Sequence, residues 1–591
     1  MKNNIFKFSL LLFVTFIVTS CNDDFLERYP LDEISSNTFW NTASDLETYN
    51  NTFYDYAKND DDHFIMMGYN NGAWASHKIA SIYLDELSDN LAPRHSRHLW
   101  HQKIRAGKHT IPSSASPGGW RGWSLLRAVN VGLESYGKAD IADLEKNKYI
   151  GEAKLFRAWY YFDKVKRFGD VTLITKPLNI DSPELYKKRD SRQDVMSLVL
   201  EDINFAVKNL PESWNGDSPG RLDKWDALLI KSRICLFEGT FRRYHGGENV
   251  EMWLQEAANA AGEIIANGPH ELYSTGNTSD DYRYVHHQVN LSGNKEVMYW
   301  RKYDPAYISN MAQGYYQYTG GASKDLVEDY LCTDGLPISL SDKYAGDDKI
   351  EDIFVDRDPR LRQTILNPMD KDKISFNRGS SLDYPRFSGM SGGIKSTTGY
   401  NMIKIYNADQ HSLGFGSQFS AAVVLRYGEV LLNYAEAKAE LGNITQTELD
   451  ESINLLRDRV GMVHMDLGNI PVDPRYSGEG ISSLLVEIRR ERRVELVGEG
   501  FRYDDLLRWK QGKKLEKPTW GMRWEAAQEA RYPGANVQTS VDTVTGKTYI
   551  DVYKGTDFAI PVFDESKHYL WPVPINAISQ NPDLGQNPGW E

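Results

Sequence analysis

The chain has 591 residues, 41% of them hydrophobic and 25% charged, which is enough apolar surface for a large core and unlike a disordered protein. Its formal charge of −14 excludes the basic stripe that nucleic-acid binding requires. With 15 Trp, 34 Tyr and 22 Phe, rings exceed what a core alone needs, and the surplus suits a surface that stacks on flat apolar ligand faces such as those of sugars.

In chain order, Lys2 and Lys7 precede an apolar run from Phe8 to Val18, then Thr19, Ser20 and Cys21. This is the pattern of a signal peptide over residues 1–20, too short to span a bilayer core of roughly 30 Å. Val18-Thr19-Ser20-Cys21 resembles a lipobox, which makes Cys21 the expected lipidated residue of the mature protein. Asn22-Asp23-Asp24 is similar to the acidic tether that sends such lipoproteins to the outer face of the outer membrane. No linker divides residues 21–591, so one large folded unit is expected. Cys235 and Cys332 are read as unpaired core thiols.

Tyr149 to Phe168 carries Leu155, Ala158, Trp159, Phe162 and Val165 at spacings of three and four, the signature of an amphipathic helix that Gly169-Asp170 ends. Similar segments cover Arg192 to Leu210, Leu222 to Glu238, Trp253 to Ala266, Val424 to Leu441, Thr447 to Val460 and Ser482 to Val497. Their pairing predicts a mostly α protein: a tetratricopeptide-like stack of helix pairs packed against an irregular region of loops, short helices and few strands. Long stretches rich in Gly, Tyr, Asn and Asp intervene at residues 59–117, 274–318, 342–420 and 518–568, and loops of that length are usually functional.

Motifs spread along the chain resemble the SusD/RagB family. They include Gly151-Glu-Ala-Lys-Leu-Phe-Arg-Ala158, Arg357-Asp-Pro-Arg-Leu361, Leu425 to Ala437, Arg489 to Leu496 with Gly498-Glu-Gly-Phe-Arg502, and Asn581 to Trp590. The resemblance implies an N-terminal part at about residues 21–230 and a C-terminal part at about 280–591. It also implies a cell-surface lipoprotein that sits as a lid on a SusC-like TonB-dependent transporter, captures glycan and hands it on.

Chemistry-bearing patterns argue for binding rather than catalysis. Gly389-Met-Ser-Gly-Gly393 matches a nucleophile-elbow string, but Pro385 and Lys395-Ser-Thr-Thr-Gly399 place it in a loop. His286-His287 lacks metal-ligand spacing and reads as polar loop. The alternating charges of Arg489 to Glu495 read as pairs on a solvated helix face. No carboxylate pair stands out, so a glycoside hydrolase is the residual alternative, and a protein-interaction scaffold is the other. No cofactor or metal is expected.

Two loops mix rings with hydrogen-bonding side chains. The first, after Asp85 to Asp89, offers Asp89, Arg94, His98 and Trp100, and the family resemblance points to the same segment. The second offers Tyr282, Trp300, Tyr303, Tyr307, Tyr315 and Tyr316. The negative chain favours a neutral polysaccharide as ligand.

Overall fold

The computed structural model describes residues 39–59, 68, 84–94, 99–115, 119–216, 220–310, 320–370, 384–392, 394–413 and 417–591. The signal peptide and Cys21 lie outside them.

Helices α1 (Ala43–Asn59) and α2 (Trp123–Ser135) lie against α3 (Asp143–Phe168). From there α3 packs on α4 (Arg192–Asn209), α4 on α5 (Lys224–His245), α5 on α6 (Val250–Asn267), α6 on α7 (Tyr427–Glu440), and α7 on α8 (Ser483–Glu495). The short helix α9 (Arg502–Arg508) returns to α5. The expected mostly α stack is therefore present, and its periodic residues fill one continuous core that runs from Leu46 and Phe156 through Ile230 and Ala257 to Leu431 and Ile488. Helix ends follow local chemistry. Asp223 and Asp226 form a reciprocal capping box on α5, Ser191 and Ser482 cap α4 and α8, and Gly169, at φ +69°, stops α3.

Two boundaries differ from the periodic reading. Residues 422–426 form a strand rather than the start of a helix, because the β-branched run Val423-Val424 pairs antiparallel with Val297–Arg301. The predicted helix from Thr447 to Val460 splits into Gln446–Asp450 and Ile453–Arg459 around Ser452, whose backbone leaves the helical region at φ −136°. The loop-rich region has its own core around Leu326, Tyr330, Phe387 and Trp524, and a three-stranded sheet in the order Trp520–Arg523, Thr548–Asp551, Thr539–Val541.

The charged run on α8 is a correction. Its side chains are buried, and apart from Arg490 with Glu487 their ion pairs reach other elements. Arg489 reaches Glu440 on α7 at 2.9 Å and Arg492 reaches Asp505 on α9 at 2.9 Å. Arg490 reaches Asp473 at 2.6 Å, and Arg493 reaches Asp325 at 2.8 Å and also Asp329. Glu495 receives Arg426 at 2.8 Å, Arg459 at 2.7 Å and Arg360 at 3.1 Å, while Glu491 holds Arg360 and Arg457. Spacings of three and four suit either arrangement; here both halves of the protein wrap the helix and supply the opposite charges. The chain's end is tied back in the same way. Asn587 donates to Phe168 O at 3.0 Å and Trp571 O at 2.6 Å, and accepts from Arg189.

Cys235 and Cys332 are buried and unbonded, as expected, and burial pushes the Cys235 thiol far up. His286 is also buried, 3.8 Å from Glu499, rather than on a polar loop, and burial holds its imidazole well below its ordinary range.

Replacing Glu495 with Gln leaves three buried guanidiniums short of charge. We expect the variant to lose about 3–5 kcal/mol of stability, read as a lower denaturant midpoint with an unchanged slope. A shift within error of wild type would mean that the network carries no net constraint.

Candidate glycan-binding site

The roots of the two predicted loops are joined. Leu91 and Ala322 form an antiparallel bridge, Ala92 N donates to Gly321 O at 2.9 Å, and Ser323 donates through N to Asn90 O at 2.8 Å and through Oγ to Asp89 O at 2.6 Å. The chain can pass here because Gly320 and Gly321 take φ +72° and +148°. A Cβ on either would lie 2.3 Å from Ala92 O or 2.2 Å from Thr398 Oγ1. The first loop therefore leaves this point just after Arg94, and the second returns to it at Gly320.

Asp89 anchors the root to the charged helices. Arg502 holds it with two bonds of 2.7 and 2.8 Å, and Arg493 stands 3.3 Å away. Burial alone would raise this carboxyl, yet the two guanidiniums hold it down at about 2. Asp89 is thus an anion already paired with two guanidiniums.

Beside the root opens a cleft of about 500 Å³, lined by Asp89, Arg105, Ser323, Lys324, Thr519 and Trp520 among others. Trp520 is half-buried and stacks on Tyr549, with centroids 5.7 Å apart and planes 12° apart. Lys324 Nζ lies 4.5 Å from the Tyr549 ring centre. Trp520 sits in the fourth of the long loops, but among its many polar and aromatic neighbours nothing in the sequence distinguishes it. Lys324 opens a short helix capped by Ser323 and so is positioned by the same residue that ties the root. A half-buried indole among hydroxyl and charged groups is the chemistry of a sugar site: a flat apolar face plus directional donors and acceptors.

The sequence profile of the SusD family covers residues 285–590. The chain belongs to the SusD family. Among curated SusD-family relatives, the SusD-like protein P38 of Formosa agariphila is 24% identical over 523 residues, covering 87% of this chain and 93% of the relative. A SusD-like protein of Bacteroides ovatus is 22% identical and covers 98% of each chain. Solved structures share the fold. A SusD-like carbohydrate binding protein from Bacteroides fragilis superposes with a TM-score of 0.71 at 23% identity, covering 93% of this chain and all of that one. A laminarin binding SusD-like protein superposes with a TM-score of 0.56 at 19% identity, covering 93% and 99%.

Within this SusD-family chain the candidate residues divide. Arg94 is half-buried at the root, close to Lys395, whose ammonium is lowered first by burial and then by Arg386 and Arg94. Trp100 is half-buried, edge-on to Trp571 at 5.0 Å, in the helix Leu99–Arg105 that ends at the cleft. Tyr307 is 90% exposed and free to meet a ligand. Tyr282, Trp300 and Tyr303 are corrections, since all are buried with no ring face to offer. The Tyr282 hydroxyl donates to Glu495 O at 2.8 Å, under Lys404 and Arg459. Trp300 packs with Val285, Leu291 and Ala421 from its strand, and Tyr303 packs with Leu91 and Ala322 below the root. His98, Tyr315 and Tyr316 lie outside the described residues, on the two segments that leave the joined root.

Asp85 stands four residues before Asp89 and is fully buried. Burial pushes its carboxyl up to about 7, against the opposing pull of the Gly498 N–H and Lys404. A carboxyl raised above its unfolded value of about 3.9 binds its proton more tightly when folded, so its contribution is greatest below about pH 4 and declines as pH rises towards 7. Asp85→Asn keeps an acceptor for Gly498 and removes the titration. Its stability relative to wild type should grow between about pH 5 and 7.5 in denaturant titrations, whereas parallel curves would show that Asp85 does not titrate there.

Proposed function

We propose that this SusD-family protein is a cell-surface glycan receptor, lipid-anchored in the outer membrane through Cys21, that captures oligosaccharide and passes it to a SusC-like TonB-dependent transporter. The observation that carries the binding role is the cleft at the joined loop root, where the half-buried Trp520 meets a set of polar and charged side chains. The carbohydrate-binding and laminarin-binding descriptions of its structural neighbours support the same reading. The lipobox-like Val18 to Cys21 supports the anchor, and among the described residues no helix is long and apolar enough to cross a membrane. A charge of −14 disfavours a dense polyanion as ligand and favours a largely neutral polymer.

Hydrolysis is the less favoured chemistry because a glycosidase needs a carboxylic acid still protonated near its working pH. Among the cleft carboxyls, burial would raise Asp89 and Asp325, yet guanidiniums hold both down. Burial would raise Asp542 too, yet hydrogen bonds from Thr545 and Val544 hold it down.

The test is affinity electrophoresis of the purified protein through gels containing neutral and acidic polysaccharides, with reducing-sugar release assayed alongside. We expect retardation in at least one gel without sugar release, weakened roughly tenfold by Trp520→Ala, in line with an aromatic contact of about 1.5 kcal/mol. Sugar release, or no retardation in any gel, would overturn the receptor reading.

The anchor is tested separately by growing cells with radiolabelled palmitate. Label should enter the wild-type protein and be absent from Cys21→Ala, and equal labelling of both would remove Cys21 from the account.

A further inference from the structure

Arg105 ends the short helix Leu99–Arg105 and lines the cleft with 4% of its surface exposed. Its Nε donates to Ser88 O at 3.1 Å, one Nη donates to Thr519 Oγ1, and its guanidinium lies 5.2 Å from the ring centre of Tyr553. These partners are all neutral. No carboxylate among the described residues lies within ion-pair distance of it. The other cations on the wall differ in this respect: Lys324 pairs with Glu328, Arg475 with Asp329, Lys514 with Glu479 and Lys517 with Asp325. Asp89, across the same wall, is committed to Arg502 and Arg493.

A guanidinium carries five donors in a planar fork that matches the oxygens of a carboxylate or sulfate, and a buried charge is costly without such a counterion. The Tyr553 ring offsets part of that cost by cation–π attraction but supplies no acceptor. The indole N–H of Trp520, which lines the same cleft, also has no acceptor among the described residues. Arg105 and Trp520 thus offer the cleft donors that lack an anionic partner, while the oxygens of Asp542, which also lines it, are engaged by Val544 N and Thr545 Oγ1. The cleft also lies at the loop root, because the Tyr553 hydroxyl donates to Pro93 O, the carbonyl that precedes Arg94.

We infer that this cleft recognises an anionic substituent, a uronic carboxylate or a sulfate ester, carried on the bound glycan, with Arg105 as its counterion. The inference rests on the glycan-receptor reading and adds the chemistry of one subsite. A polymer that is mostly neutral and bears occasional acidic sugars satisfies both the negative chain and the unpaired guanidinium.

The test compares uronate-bearing and sulfated polysaccharides, each beside its carboxyl-reduced or desulfated form, for retardation of the wild-type protein. We expect at least one acidic polymer to bind and its neutralised form to bind roughly tenfold more weakly or not at all. The uronate and sulfate arms distinguish the two sources of negative charge. Arg105→Gln should abolish the preference for the acidic form over its neutralised form, read as the ratio of the two affinities in the same variant, while Arg105→Lys should retain part of that preference. A thermal melt establishes that each variant is folded, and the wild-type comparison needs no variant. Equal binding of charged and neutralised forms would overturn the inference and leave the receptor reading standing. Failure to bind any polymer would overturn both.

Discussion

Glu495 sits at the centre of the protein with its carboxylate held by Arg360, Arg426 and Arg459, and the remainder of α8 extends the same pattern outward to α7, α9 and the loop-rich core. In a low-dielectric interior each of these charges is costly alone, and mutual attraction offsets that cost only when the geometry is met. Such a network adds less to net stability than its number of bonds suggests. What it adds is position. Each arginine of α8 has one arrangement in which its charge is satisfied, and that arrangement sets where Glu440, Asp473, Asp505 and the helix Lys324–Asp329 must lie. The helical stack and the loop region are thereby registered against one another by electrostatics as well as by apolar contact.

The candidate site inherits its geometry from this network. Arg493 reaches Asn90 at 2.8 Å as well as Asp325, and Arg502 grips Asp89, so the first loop root is bonded directly to the two charged helices. The second loop root is fixed to the first by Ser323 and by the close passage of Gly320 and Gly321. A receptor built this way keeps a stiff base while the segments beyond Arg94 and before Gly320 are free to differ in sequence. Asp89 and Ser323 do both jobs, tying the root and lining the cleft, so the cleft floor is fixed by the same bonds that register the core.

The helices were legible in the sequence because burial of one helix face imposes a period of 3.6, and Leu155 to Val165 display it plainly. The strand at Ala422–Arg426 was not, since four apolar residues and an arginine running into a periodic helix carry no period of their own until Val297–Arg301 is placed beside them. The α8 charges were misread for a related reason: their spacing is the same whether the partners are on the helix or around it. For the site, composition located two loop roots that the fold does bring together, but it could not separate Tyr307, which is exposed, from Trp300 and Tyr303, which are core. Burial of a ring depends on what lies across from it, which is a property of distant residues. Arg105 was illegible in principle. Its interest lies in the carboxylate it lacks, and a missing partner has no sequence signal.

The neutral ligand suggested by net charge and the anionic subsite suggested by Arg105 are statements about different distances. A total of −14 spread over the surface acts through water, where salt confines its influence to about 8–10 Å, and it governs the approach of a highly charged polymer more than the fit of one group. Inside the cleft the relevant sum is local: Asp89, Asp325 and Glu328 already have their cations, Asp542 is held by hydrogen bonds from Val544 and Thr545, and Arg105 alone among the lining cations faces no carboxylate of the described residues within ion-pair distance. Desolvation makes that single imbalance stronger than many exposed charges, since the interaction of Arg105 with an incoming oxygen is little screened. Long-range repulsion would then reject dense polyanions at the surface, and short-range pairing would select an occasional acidic sugar at the root. Together the two effects define a narrower ligand class than either does alone.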